Sequence, residues 1–448
     1  MAEISDSLEE LYSTPEMSAT FSAQAHVRSM LAFESALARA EARAGLIPQA
    51  IAIAIAASCN ANFYPISALY REAARSGTPA IPLVRMLTEH VEGEAKKFVH
   101  LGATSQDVID TALMLQMRDG LDLLIGTLQD ICASCANLVR QHRQTLMIGR
   151  TLLQQALPIT FGLKAAHWLA FATRLLQTLR ERRQRSLALQ FGGAAGTLAS
   201  LNTQGIEISD LLAEELELPA PALPWHTERD RIAEIASALG TVAGAVAKIA
   251  GDIALLAQTE VGEVSEAPEP GKGRSSAMPH KRNPVDAINA LAATRLAMGY
   301  VPTILSAMAQ EHERAIGGWQ SEWATIPDLF RTTACALEHL RRSLAGLQIN
   351  TGRMKANLDL TRGLVMAEAL TTALAPHLGR EVAYARVQAA CDLVMERGMD
   401  LRQAALADEQ ISATLSPEAL EKALDPLHYL GSAEIFIERA LQLYESAR

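Results

Sequence analysis

The sequence lacks any sustained alternation of apolar and polar residues, so no substantial sheet is expected. Aromatic residues are only 4% of the chain against 49% apolar overall, and alanine and leucine make up the balance, which favours helix. A cationic surplus is missing too. The formal net charge of −10 argues against a general nucleic-acid binder, although an anionic small molecule needs only local positive charge. Cys59, Cys132, Cys135, Cys335 and Cys391 are odd in number and scattered, as suits reduced thiols in a cytoplasm. The Cys132-x-x-Cys135 pair has no second pair and no histidine cluster beside it, so it reads as core. No two histidines have ligand spacing on one helix face, and no Walker, dinucleotide or nucleophile-elbow motif is present; no metal and no cofactor are expected. The first ten residues are acidic and lack an apolar segment, so no signal peptide is expected. Uncharged stretches at 44–70 and 186–206 are interrupted by Pro48, Asn60, Asn62 and Pro65, and by glycines, Asn202 and Gln204. Both fall short of the roughly 20 apolar residues a membrane span needs.

What the chain does have is length and helical periodicity. At 448 residues it is too long for one simple core. After Asp110, Met114, Met117, Leu121, Leu124, Leu128, Ile131, Cys135 and Leu138 recur in steps of three and four, the seam of a long helix. Ile232, Ile235, Leu239, Val242, Val246, Ile249, Ile253 and Leu256 repeat that spacing within 229–258, with alanines and glycines between them that permit close helix approach. Segments 163–189 and 284–310 also read as helices, and 27–44 places Phe33, Leu37 and Ala40 on one face. These features predict an all-α protein with an extended central bundle and shorter helices at both ends. Soft boundaries fall near 110 and 350, giving 1–110, 111–350 and 351–448. Helices with this much apolar surface are expected to self-associate.

The most informative stretch is Gly271-Lys272-Gly273-Arg274-Ser275-Ser276-Ala277-Met278-Pro279-His280-Lys281-Arg282-Asn283-Pro284. It joins adjacent hydroxyls and several cations on a glycine-hinged loop that leads into a helix. Asn283 is placed to cap that helix and Pro284 to open it, leaving backbone N–H groups beside Lys281 and Arg282 as an anion site. This pattern suggests proton transfer next to a carboxylate; the plain alternative is a basic surface loop. Three further segments qualify. In 100–107, His100-Leu101-Gly102-Ala103-Thr104-Ser105-Gln106-Asp107, Thr104 and Ser105 stand at a helix start, either gripping a carboxylate or simply capping. The 149–158 segment reads as a polar turn with one cation, Arg150, followed by Gln154 and Gln155. Glu311-His312-Glu313-Arg314 offers a base and an anion clamp, or a solvated helix end.

Taken together, these segments resemble the fumarase/aspartase superfamily. The loop from Ser275 to Pro284 matches the superfamily signature Gly-Ser-Ser-x-Met-Pro-x-Lys-x-Asn-Pro, with Arg274 where a glycine is usual. Thr104-Ser105-x-Asp107 and Gly149-Arg150-Thr151 match two more segments in the same order. The resemblance covers nearly the whole chain. It implies a mostly helical three-domain subunit and a homotetramer with composite active sites built from three subunits, acting on a small polycarboxylate. Strings at 12–17, 80–84, 191–194, 224–227, 310–314 and 425–431 are similar to a branch whose members close a carboxylated cis,cis-muconate into a lactone.

The resemblance implies roles residue by residue. Ser276 would exchange a proton with carbon, and Lys281 would stabilise the charge that develops. Thr104, Ser105, Asn283 and Arg314 would hold carboxylates, with Arg150 and Gln154 as further substrate contacts and Gln155 as another polar one. Most members carry histidine where this chain has Leu152. Expelling an amine or hydroxide needs an acid there, whereas a carboxylate leaving group, with a pKa near ~4, does not. Alternatives are an adenylosuccinate- or argininosuccinate-type lyase, a cycloisomerase for another muconate such as a sulfonated one, or a non-catalytic homologue. The His-Asp pair of adenylosuccinate lyases is absent near Pro79-Ala80.

Overall fold

The computed structural model describes residues 11–274 and 277–448. The fold is mostly helical. Among the described residues the strands form only a hairpin, Leu146–Thr151 with Gln154–Thr160, and a two-residue pair, Val264–Ser265 with Gln348–Ile349. Among the described residues the five longest helices are Ser105–Gln141, Phe161–Arg185, Asp230–Leu256, Val285–Ser306 and Gly318–Ala345. The sequence pattern anticipates the first four. The fifth escapes it because Gly318 opens the helix and Pro327 lies within it, two residues that in sequence argue against helix. The described residues pack as two compact units. The first takes residues up to Leu128, Leu175–Ala247 and Asn289–Glu338; the second takes Gln129–Arg174, Lys248–Ile288 and His339–Arg448.

In the first unit, seam residues Met114, Met117, Leu121, Leu124 and Leu128 are buried, as are Ile232, Ile235, Leu239, Val242 and Val246. Each such side chain contributes roughly 1.5–3 kcal/mol by leaving water. Close helix approach is visible at Gly240, where an added Cβ would sit 2.9 Å from Val301 Cγ2. Helix Ala23–Arg43 buries Phe33, Leu37 and Ala40, as its apolar face implies.

In the second unit the seam continues through buried Ile131, Cys135 and Leu138. Cys132 and Cys135 are both buried and unbridged, and burial pushes the Cys135 thiol up, away from thiolate chemistry. The 149–158 segment is not a simple polar turn. It forms most of a hairpin, with a bulge between Ile148 and Arg150 and the reversal at Leu152 and Leu153. Burial of Met147 and Ile148 explains the difference: Ile148 joins a core with Leu370, Val387 and Leu401 of the C-terminal helices. Helix Asp230–Leu256 is long and apolar enough to cross a membrane, yet half of its apolar window is buried within the fold, as in a core helix.

Candidate active site

In the first unit, the segment ending at Thr104 is held by Asp107, in the first turn of helix Ser105–Gln141. Its fully buried carboxylate accepts from Thr104 N (3.0 Å), Gln190 Nε2 (3.1 Å), Gly192 N (3.0 Å) and Gly193 N (2.9 Å). His226 Nε2 lies 2.8 Å from Asp107 Oδ1; because a carboxylate accepts, that nitrogen carries the hydrogen. Gly193 has φ +68° and packs so closely that a Cβ would meet Gly102 O at 2.9 Å. Two chain reversals are thereby fixed around one carboxylate. In the sequence Asp107 is only the last residue of the 100–107 segment, and nothing in a single sequence marks it as the point where three segments meet.

Arg314 is brought to the same place. Its Nη2 donates to Thr104 Oγ1 (3.1 Å) and to Ala194 O (3.2 Å). Arg314 Nε is buried without a partner, and no carboxylate among the described residues pairs with this guanidinium. A cation with unmet donors beside a threonine hydroxyl, next to Ser105 at a helix start, suits a carboxylate ligand. His312 is exposed at φ +47° on the same loop.

Behind this cluster, buried Arg229 donates to Asp110 (2.8 and 3.0 Å) and to Glu322 (3.0 Å). Burial alone would lower the guanidinium pKa, but the two carboxylates more than offset it and hold Arg229 charged. Gln106 Nε2 ties Asp110 (3.1 Å) to His226 O (2.7 Å), so the two acid-centred networks are joined.

The second unit holds the other candidates. Arg150 forms a bidentate pair with buried Glu263 at 2.9 and 2.7 Å, and Asn357 Nδ2 donates to Glu263 Oε1 (2.8 Å). Arg150 is therefore anchored rather than bare, though an arginine's five N–H donors leave some uncommitted. Gln154 is exposed at the start of the second hairpin strand, and Gln155 Nε2 donates to Asn357 O at 3.0 Å. The hairpin tip is unusual. Leu152 and Leu153 have φ of 51° and 65° and are 97% and 74% exposed. Two-residue hairpin turns with φ > 0 normally take asparagine or glycine, so two leucines there are held against local preference. Lys164, missed in the sequence, has its pKa lowered by burial; Asp252 raises it, and Lys248 and Arg150 add to the lowering.

The signature loop closes at its neck. Arg274 and Arg282 form an isolated antiparallel bridge, and Asn283 N and Nδ2 both donate to Gly273 O (2.9 and 3.3 Å). Asn283 thus ties the loop together instead of capping the next helix, which starts at Val285. The amides expected to bind an anion are taken: Glu266 accepts from Asp286 N (3.1 Å) and Ala287 N (2.8 Å). The loop root is latched as well. Lys272 pairs with Glu269 (3.0 Å) and with Asp286, and His339 Nδ1 lies 2.8 Å from Asp286 Oδ1. Burial would raise the Asp286 carboxyl, but His339 and Lys272 together hold it below the usual range. Lys281 is exposed on the loop. Ser276 and its neighbour Ser275 lie outside the described residues.

Residues 10–299 match the family described as lyase, and residues 363–440 match the adenylosuccinate lyase C-terminus. A 3-carboxy-cis,cis-muconate cycloisomerase of Pseudomonas aeruginosa is 47% identical over 95% of this chain and 93% of its own. The crystal structure of 3-carboxy-cis,cis-muconate lactonizing enzyme from Pseudomonas putida superposes with a TM-score of 0.93 at 43% identity, covering 98% of this chain and 99% of that one. A nitrosuccinate lyase of Streptomyces davaonensis is 38% identical over 94% of this chain and 91% of its own.

Proposed function

The chain belongs to the fumarase/aspartase lyase family, and from that premise we propose that it is a cycloisomerase converting 3-carboxy-cis,cis-muconate into 4-carboxymuconolactone. The observation that carries this reading is the near full-length likeness to cycloisomerases at 47% and 43% identity. Leu152 at the hairpin tip supports it chemically. A lactone's leaving group is a carboxylate, whose acid has a pKa near ~4, so it departs unprotonated and needs no acid at that position.

The proposed reaction is redox-neutral. A substrate carboxylate oxygen adds to a carbon of the conjugated diene, and the C–O bond forms as the π electrons move toward the neighbouring carboxylate. The resulting enolate-like dianion takes a proton on carbon from the Ser276 hydroxyl. In reverse, the Ser276 alkoxide removes that proton. An ordinary serine is a poor base, so Lys281 and the loop amides are required to lower its pKa. Lys281 also stabilises the dianion, which supplies most of the rate. Thr104, Ser105, Arg314 and Asn283 hold the carboxylates, with Arg150 and Gln154 as outer contacts. We further propose three domains, 1–110, 111–350 and 351–448, and a homotetramer whose copies contribute residues to shared sites. Exposed Leu296, Met298 and Leu305 on helix Val285–Ser306 are the kind of surface another copy would cover.

A second reading rests on the nitrosuccinate lyase likeness, which favours elimination from a substituted succinate. Arg274, in place of the usual glycine, keeps a differently substituted muconate, such as a sulfonated one, in view. Incubation with 3-carboxymuconate, following loss of diene absorbance, tests the first reading. An unchanged diene together with release of an unsaturated dicarboxylate from a succinyl substrate would replace it with the second.

A further inference from the structure

Three acids flank the signature loop: Glu266 and Glu269 before it and Asp286 after it. One face of helix Gly318–Ala345 answers all three. His339 Nδ1 lies 2.8 Å from Asp286 Oδ1, Arg342 Nη2 donates to Glu269 Oε2 (3.4 Å), and Ser343 Oγ donates to Glu266 Oε1 (2.9 Å). Positions 342 and 343 follow 339 by three and four residues, so a helix presents all of them on one side. Arg342 Nε also lies 3.7 Å from Asp286 Oδ1. This helix is thus a common platform to which both ends of the loop are tied.

Lys272 completes the arrangement from the loop itself. Its ammonium pairs with Glu269 (3.0 Å) and with Asp286, which joins the residue before Gly273 to the first turn of helix Val285–Ser306. The Lys272 and Asp286 side chains are 12% and 2% exposed, so this is not a solvated surface pair of negligible effect. Burial would lower the Lys272 ammonium, but Asp286 and Glu269 outweigh it and hold its pKa above the ordinary value. The neck hydrogen bonds join Asn283 to Gly273, and the ion pair joins the residues beyond them, 272 and 286. Two successive links fix the direction of the paired strands, where one would leave a swivel. Lys281 adjoins Arg282, whose bridge to Arg274 continues the same ladder.

Resting on the reading of Lys281 as the group that stabilises the dianion, we propose that Lys272 and Asp286 are positioning residues whose ion pair sets the direction in which the loop presents Lys281. Neither is assigned a contact with the substrate. Ground-state binding through Thr104 and Arg314 does not depend on this pair, so its loss falls on turnover.

The test combines kinetics with proteolysis of the full chain. Lys272→Met should lower kcat for 3-carboxymuconate by roughly tenfold or more with KM within about threefold, while melting near wild type. Lys272→Arg keeps a cation within reach of both acids and should recover most of the activity. Asp286→Asn should match Lys272→Met, and the double variant should lose no more than either, because both remove the same link. Trypsin cleavage of the native protein after Arg274, Lys281 and Arg282 needs no substrate; Lys272→Met should be cut roughly tenfold faster than wild type and Lys272→Arg at about the wild-type rate. If the wild type leaves 3-carboxymuconate unchanged, the functional reading fails by itself, and the cleavage rates still judge the ion pair. A kcat within about twofold of wild type in Lys272→Met, a loss carried by KM or tracking a lowered melting temperature, no recovery in Lys272→Arg, additive losses in the double variant, or cleavage at the wild-type rate would each overturn the assignment.

Discussion

Arg314 Nη2 donates to Thr104 Oγ1 across 210 residues of sequence, at 3.1 Å. With Nε unpaired and no carboxylate among the described residues paired with it, the guanidinium is positioned by neutral groups and keeps its charge for a ligand. A hydrogen bond to a charged group contributes about 1.5–3 kcal/mol, so Arg314→Met should lower kcat/KM by roughly 10- to 100-fold. Arg314→Lys should restore only part of this, because an ammonium lacks the planar fork that spans Thr104 and a carboxylate together. Steady-state kinetics decide the matter, and a loss within twofold for the methionine variant would remove Arg314 from the site.

Ser276 and Lys281 carry the chemistry in the proposed reaction, and their substitutions should act on turnover. Ser276→Ala should reduce kcat by much more than about tenfold, the equivalent of roughly 1.4 kcal/mol of barrier. Lys281→Met should do the same. If the lysine variant changes KM alone, it binds the ground state and does not stabilise the transition state.

Most of the helical framework was legible because its apolar spacing is dense and long. Met114 through Leu138 and Ile232 through Leu256 are buried as their periodicity implies. The hairpin at 146–160 was not, since its strands are short and its turn uses Leu152 and Leu153 where asparagine or glycine would announce a reversal. Within the site, Thr104 and Arg314 could be chosen from motif and residue type, but their partners could not. Asp107 gathers amides from Gly192 and Gly193, Glu263 grips Arg150, and Glu266 caps a helix some twenty positions onward. Each is an ordinary acid in sequence, and only the three-dimensional path of the chain brings its donors to it.

Gly271 and Gly273 are both hinges by sequence, yet the structure separates them. Gly271 has φ +82° with open space around its missing Cβ, whereas Gly273 has φ +67° and would place a Cβ 2.6 Å from Asn283 O. Alanine at 271 meets only the left-handed backbone penalty of roughly 1–2 kcal/mol. Alanine at 273 must also break the hydrogen bonds that close the loop neck. Gly273→Ala should therefore lose at least an order of magnitude in kcat/KM, while Gly271→Ala stays within a few-fold and both melt near wild type. Equal effects at the two positions would mean that the neck is not what positions Lys281.

Glu41 supplies a test of pH dependence that is independent of the active site. Both of its carboxyl oxygens are buried without a partner among the described residues. Burial first, and the charge of Glu34 second, push its pKa from 4.5 to about 9. The folded protein then keeps a proton that the unfolded chain releases above pH 4.5. Stability is fully present below that value, falls as pH rises toward 9, and levels off beyond. The loss at pH 7 is on the order of 3 kcal/mol. Glu41→Met keeps the volume and sacrifices no hydrogen bond to a described residue, so it should be more stable than wild type at pH 7 by about that amount. Near pH 4.5 the advantage should shrink toward the small gain expected from replacing an unpaired polar group with an apolar one. Denaturation curves for the two proteins from pH 4.5 to 9 provide the comparison; parallel pH profiles would show that Glu41 is ionised, with a counter-charge that the geometry does not display.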